Sequence, residues 1–312
     1  MPYSAVDFTS GALWARLAAR SFRRVWGRDV MLYTGGVSFF ALLAVFPAIA
    51  ILIGFYKVVL TTGQASEQAA ALAAVLPDAA QGVFYDEVRR LTTASARTVS
   101  AQSGVALIIG AYAAHRGFKA LLAGLNLIHD EQEPHGFLRF NVLAFVVALF
   151  AFVLFTAVSG AVVTARLMNQ TEVIETLELY GLAAEGLWPG LGLMVGLTYL
   201  YRYAMSHRAR VAWGAALAGA VSATLLSMIS SWLCAVYVEQ IVELGATYGS
   251  VGAIVVFLIW LSWNVNAVFF GGALATELEI AWRSRGAPPL DDAEDRPAAP
   301  VVSLQARRES RR

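Results

Sequence analysis

The stretch from Phe140 to Val163, FNVLAFVVALFAFVLFTAVSGAVV, runs for 24 residues without a charge, and Asn141 is its only strongly polar side chain. As an α-helix rising about 1.5 Å per residue, it is long enough to cross the roughly 30 Å hydrocarbon core of a bilayer. One such helix could be hidden in a soluble domain, but similar runs recur near 31–57, 99–122, 181–201, 211–238 and 247–275. Together they predict an all-α, polytopic membrane protein with six transmembrane helices. Composition agrees: 58% of the 312 residues are hydrophobic and 14% are charged, against about 25% charged in ordinary soluble domains.

Charge orients the crossings. With the amino terminus in the cytoplasm, 18 of the 23 lysines and arginines fall inside: before the first crossing, in 116–139, in 202–210 and after residue 282. Only Lys57, Arg89, Arg90, Arg97 and Arg166 fall outside, which is the bias expected of an inner-membrane protein. Both termini are therefore expected in the cytoplasm. The net charge of +1 hides this asymmetry and does not indicate nucleic acid as a partner. Three parts follow: a basic cytoplasmic segment 1–29, a six-helix membrane domain 30–282, and a cytoplasmic tail 283–312 whose PPLDDAEDRPAAP and ARRESRR runs predict disorder.

The segment before Asp29 lacks the compact apolar core of a signal peptide, because Arg16, Arg20, Arg23, Arg24 and Arg28 divide it. It reads either as an interfacial helix, with Leu13, Leu17 and Val25 facing the membrane and the arginines meeting anionic headgroups, or as a basic flank to the first crossing. The loop Thr61 to Val99 is too long for a turn. Ala65, Ala69, Leu72 and Leu76 share one helical face before Pro77, and Phe84, Val88 and Leu91 repeat the pattern, which predicts an external amphipathic helical hairpin.

Inside the crossings, Gly192 with Gly196, Gly214 with Ala218, and Gly219 with Ala223 are small-residue pairs suited to close helix packing. Ser222, Ser227, Ser230, Ser231, Asn264 and Asn266 are uncharged polar groups that need partners in lipid. They read as interhelical hydrogen-bonding groups or as the lining of a polar path. Pro47 interrupts the backbone ladder of the first crossing and is a candidate bend. Arg116 can snorkel to headgroups and Asn126 can end or brace its helix.

Several chemistries find no support. Cys234 stands alone, so neither an internal disulfide nor a thiolate cluster forms. His115, His129, His135 and His207 have no metal-binding spacing, and no P-loop is present. No catalytic residue, cofactor or metal is assigned. Asp130, Glu131 and Glu133 share one short loop that offers no catalytic geometry with a histidine partner, which argues against phosphodiester hydrolysis.

Four segments carry a family resemblance: GGVSFFALLAVFPAIAILIGF at 35–55, RGFKALLAGLNLIHDEQE at 116–133, WGAALAGAVSATLLSMISSW at 213–232 and YGSVGAIVVFLIWLSW at 248–263. In order and spacing they resemble the YihY/BrkB family of bacterial inner-membrane proteins, once misassigned as ribonuclease BN. The resemblance places a small-aromatic motif and phenylalanine-proline bend on Ser38, Phe39, Phe40, Phe46 and Pro47. An arginine-glycine and leucine-asparagine pattern falls on Arg116, Gly117, Leu125 and Asn126, with acids at Asp130 and Glu133, and the start of the last helix falls on Tyr248 and Gly249. The chain departs from the pattern at Pro134 to Gly136, and at Ala273, where glutamate is usual; Glu277 and Glu279 lie farther along. Some members are linked to serum resistance, and others are proposed to take part in phospholipid movement toward the outer envelope. The resemblance thus implies a non-enzymatic transporter of phospholipid or another amphiphile in envelope homeostasis, with membrane lipids as partners. The alternative is a membrane scaffold or envelope assembly factor, with envelope proteins or further copies of the chain as partners.

Overall fold

A bilayer interior offers no hydrogen-bond partner to the backbone, so apolar runs of this length satisfy their own amides as helices. The computed structural model describes residues 11–27, 29–59, 85, 96–129, 137–169, 178–205, 210–240 and 252–283. Among these it is all-helical, with α1 (Gly11–Trp26), α2 (Val30–Val59), α3 (Ala96–Ile128), α4 (Phe137–Asn169), α5 (Glu178–Tyr203), α6 (Trp213–Gln240) and α7 (Gly252–Arg283). The stretches Leu138–Gly160, Trp213–Tyr237 and Ile254–Arg283 are long and apolar enough to cross a membrane, and α1 with α2, bent by 74°, would make a fourth span. The expected hairpin, apart from Tyr85 and from 96–99 at the start of α3, and the tail beyond Arg283 lie outside the described residues.

The bend between α1 and α2 is made at Gly27 and Asp29. Gly27 N–H donates to Arg23 O at 2.9 Å, Leu32 N–H donates to Asp29 O at 3.0 Å, and Asp29 adopts φ 54°. Aspartate tolerates that left-handed conformation better than most residues. Folding α1 back changes the role expected of its apolar face: Leu17 is fully buried, and Leu13 and Val25 pack against the same core instead of facing the membrane. The exposed apolar side is a different one, carrying Trp14, Phe22 and Trp26, with Phe22 and Trp26 stacked at 5.6 Å. These residues are multiples of four apart and so share a face, while exposed Arg16, Arg20 and Arg23 occupy a third.

α7 is the central element, packing most extensively on α6 and also on α2, α1 and α3. Backbones meet where α6 crosses it. A Cβ built on Gly271 would lie 2.5 Å from Gly219 O and 2.6 Å from Ala223 Cβ, and one on Gly219 would lie 2.5 Å from Gly271 O. A comparable seam joins α3 to α2: a Cβ on Gly110 would stand 2.5 Å from Pro47, one on Gly117 3.3 Å from Phe40, and one on Gly124 2.6 Å from Phe269 of α7. The seven-residue spacing returns these glycines to one side of α3. On α5, Gly192 and Gly196 accommodate Val158 and Leu154 of α4. α4 is peripheral, with only 6% of its most apolar window buried.

Replacing Gly271 with leucine is expected to cost about 1–3 kcal/mol through overpacking. Gly160→Leu, at a position with nothing within 4 Å of the added atom, is expected to stay within about 0.5 kcal/mol. Thermal unfolding of the detergent-purified variants checks the contrast.

Candidate functional site

The last turns of α7 carry Glu277 and Glu279, both buried. A carboxylate removed from water needs a counter-charge or several donors. For Glu277 the counter-charge comes from α1: Arg24 Nη2 lies 2.6 Å and Nε 2.8 Å from Glu277 Oε1, with side-chain exposures of 13% and 8%. Arg24 Nη1 also donates to Ile128 O at 2.9 Å, satisfying a carbonyl left open at the end of α3. One guanidinium therefore ties together α1, α3 and α7, whereas the sequence suggested either headgroup contact or a basic flank for the arginines of this segment. Nearby, Thr276 Oγ1 donates to Gly272 O at 2.9 Å, so His129 Nδ1–H is the donor in its 3.0 Å contact with that hydroxyl. Glu279 accepts the Ala212 N–H at 2.8 Å, beside the start of α6, and Arg283 Nε at 2.9 Å. These contacts gather Arg24 of α1, the end of α3, Ala212 before α6 and Arg283 at the end of α7 at one end of the helix bundle, and the sequence assigns these regions to one side of the membrane.

A second polar group lies deeper. Thr34 Oγ1 donates to Asn266 Oδ1 at 3.0 Å, and Ser262 Oγ donates to Ser38 Oγ at 3.3 Å. Thr34 and Ser38 are one turn apart on α2, as Ser262 and Asn266 are on α7, so two antiparallel helices meet at two neutral polar rungs. Asn266 Nδ2 also donates to Ser262 O at 2.9 Å. Asn266 is eleven residues before Glu277, about 16 Å along the helix. The rungs are therefore well separated from the ionic end. Two further contacts reach α7 from other sides: Tyr201 OH of α5 donates to Val268 O at 2.6 Å, and Trp260 Nε1 donates to Ser231 Oγ of α6 at 3.0 Å.

The residues singled out in the sequence do not converge. Asn266 enters the α2–α7 rungs, whereas Asn264, about 200° around the helix, donates to Trp260 O of its own helix at 2.9 Å. The Gly219–Gly271 contact and the Ser231–Trp260 bond set an antiparallel register that puts buried Ser227 level with Asn264. Ser230 is half-buried on α6, next to the serine that takes the indole hydrogen bond. Asn126 is buried in the last turn of α3, inside the helix, beside Leu122 and Leu125 in sequence. Arg116 is exposed, its guanidinium 5.6 Å from the Phe40 ring centroid. Pro47 is inside α2, where Gly110 of α3 lies against it. The sequence reading missed Arg24, Thr34 and Ser262 as partners. The four-residue spacing of Thr34 with Ser38, and of Ser262 with Asn266, was the available signal.

Among the described residues no group of three or more histidine, cysteine, aspartate or glutamate side chains could hold a metal ion. The family model for the virulence factor BrkB matches residues 21–296. A ribonuclease-like protein, YfkH of Bacillus subtilis (strain 168), is 23% identical over 171 residues, which cover 54% of this chain and 62% of the relative. The match thus spans less than two thirds of that relative's length. No solved structure matches the chain significantly.

Glu277→Ala leaves Arg24 buried without its counter-charge, a change expected to cost about 3–5 kcal/mol if the fold holds rigid. Release of α1 is the cheaper response, so trypsin is expected to cut at Arg16, Arg20 and Arg23 about tenfold faster or more. Gel electrophoresis of a digestion series checks this, with Arg139→Ala, at an exposed position on α4, as the control.

Proposed function

The chain belongs to the BrkB family, and on that premise we propose that it is a multi-pass protein of the bacterial inner membrane that moves phospholipid or another amphiphile without catalysing a covalent reaction. In this reading α2 to α7 are the six crossings of domain 30–282. α1, within the basic segment 1–29, lies along the cytoplasmic interface. Residues 61–99 form an external helical hairpin, and the tail 283–312 returns to the cytoplasm.

The observation that carries the reading is the pair of neutral rungs between α2 and α7. Uncharged polar groups deep in an apolar bundle lose hydration and are retained where they brace helices or meet a polar ligand. Each rung is a neutral hydrogen bond, worth about 0.5–1.5 kcal/mol net, which a phosphodiester oxygen could replace by accepting from Thr34, Ser38, Ser262 or Asn266. The ionic end contrasts with this, because Arg24 and Glu277 form a charged, shielded pair that would hold α7 while α2 and α7 separate farther along. The headgroup would pass between these hydroxyl and amide groups while its acyl chains stay in lipid. Ser227, Ser230 and Asn264 would extend the polar lining on the α6 side. Arg116 would meet headgroups at the cytoplasmic end, Asn126 would brace the end of α3, and Pro47 would supply the bend in α2.

One observation favours the scaffold alternative: Asn264 and Asn266 each donate to a carbonyl one turn back on their own helix, as expected of groups satisfied without a ligand.

Transfer of fluorescent phospholipid between leaflets of liposomes containing the purified protein decides between them. Asn266→Ala and the double change Thr34→Val with Ser38→Ala are expected to slow transfer about tenfold, corresponding to about 1.4 kcal/mol, with folded yield retained. Ser227→Ala, Ser230→Ala and Asn264→Ala test the wider lining. Normal rates in all five variants, or no transfer by the unchanged protein, reject the passage; loss of transfer only with loss of folded protein favours the scaffold. For orientation, single cysteines at positions 80 and 290 in a Cys234→Ala background are expected to label from the outside and the cytoplasm, respectively.

A further inference from the structure

Between α5 and α6, on the outside of the helix bundle, runs a groove of about 260 Å³. Its walls include Met194, Val195 and Tyr199 of α5 and Trp213, Gly214 and Leu217 of α6. Val195, Tyr199, Trp213 and Leu217 are 39–48% exposed, so the groove opens outward. Its polar lining side chain, Thr198, is turned to its own helix, donating to Met194 O at 2.7 Å. The groove therefore suits an apolar chain.

One end has a different chemistry. Tyr199 stacks on Tyr203 at 6.0 Å, and both rings meet Trp213 edge-on at 5.8 and 6.2 Å. Two guanidiniums cover these rings: Arg202 lies 4.2 Å from the Trp213 centroid, and exposed Arg210 lies 5.2 Å from that of Tyr203. Arg202 Nη1 donates to Val211 O at 2.6 Å, while its Nε is buried with no partner among the described residues. Neither guanidinium is ion-paired among those residues. Glu279, whose carboxylate meets Ala212, is also held by Arg283. Aromatic rings orient guanidiniums but do not neutralise them. Two cations at the end of an apolar groove, in an aromatic layer of the kind found at membrane interfaces, complement a ligand with an anionic head and an apolar tail. A free anion would leave the groove empty, and an uncharged amphiphile would leave the guanidiniums without a counter-charge.

We propose that this groove binds one anionic phospholipid, with an acyl chain between Val195 and Leu217 and its phosphate at Arg210 and Arg202. The site rests on the reading that α5 and α6 cross a bilayer, but not on transfer of lipid between leaflets. It lies apart from the α2–α7 rungs, so the bound lipid would be resident.

The test is lipid retention by the full chain, measured by native mass spectrometry after exchange into detergent with matched phosphatidylglycerol or phosphatidylcholine. At about 1 kcal/mol for each of the two arginines, the unchanged protein is expected to retain one phosphatidylglycerol with about thirtyfold preference. Arg210→Glu is expected to abolish the preference. Leu217→Trp, which fills the groove at an exposed position, is expected to release either lipid. Val195→Trp fills it from the α5 side and serves if the first variant does not fold. Equal retention of the two lipids by the unchanged protein, undiminished preference in Arg210→Glu, or undiminished retention in a folded groove-filled variant would overturn the site. Failure of leaflet transfer in liposomes that contain both phosphatidylglycerol and phosphatidylcholine overturns the function proposed above and leaves this retention result to decide the groove.

Discussion

Close approach of α6 and α7 at Gly219 and Gly271 is the constraint on which the remaining contacts depend. In lipid, apolar side chains gain little by leaving one hydrocarbon environment for another, so helix association relies on packing and on polar contacts. With no side chain between the backbones, Ala223 reaches Gly271 and the Tyr201 hydroxyl reaches Val268 O across the same region. The register set there also places Ser231 beside Trp260. α7 can then offer other faces to α2 and α1, which is why its second half is almost continuously buried.

Polar contacts are divided by depth. At the basic end, charge is permitted because each buried group has a defined answer: Arg24 for Glu277, and Ala212 N–H with Arg283 for Glu279. Deeper in the bundle the described rungs use hydroxyl and amide groups, which cost less to bury and less to separate. This gradient is the physical basis for reading the ionic end as a clasp and the α2–α7 rungs as the element able to exchange partners. α1 adds a third feature, since the bend at Asp29 presents its aromatic and arginine faces outward while Leu17 and Arg24 hold it against the core.

Helices were legible because their signal is local. Length and the absence of charge in Phe140 to Val163 suffice to specify α4, and the other apolar runs locate helices to within several residues. Glycine pairs on α5 and α6 were legible as packing surfaces, but the α3 series Gly110, Gly117 and Gly124, spaced by seven instead of four, falls outside the small-residue pair pattern. The apolar face of α1 was visible as a pattern, yet the same pattern suits a membrane surface and a protein core. Only the fold of α1 onto α7 distinguishes them.

The sequence by itself determined the helices of the long apolar segments, the BrkB resemblance and the clustering of basic residues in particular connections, because these are properties of single segments and their order. The tertiary structure alone decided that Arg24 meets Glu277, 253 positions away, that Thr34 and Ser38 meet Asn266 and Ser262, and that Arg202 and Arg210 share an aromatic cluster beside an apolar groove. Such pairings depend on the rotation and register of helices about one another. Neutral polar residues occur on several faces of each helix, and local periodicity alone does not select which faces meet.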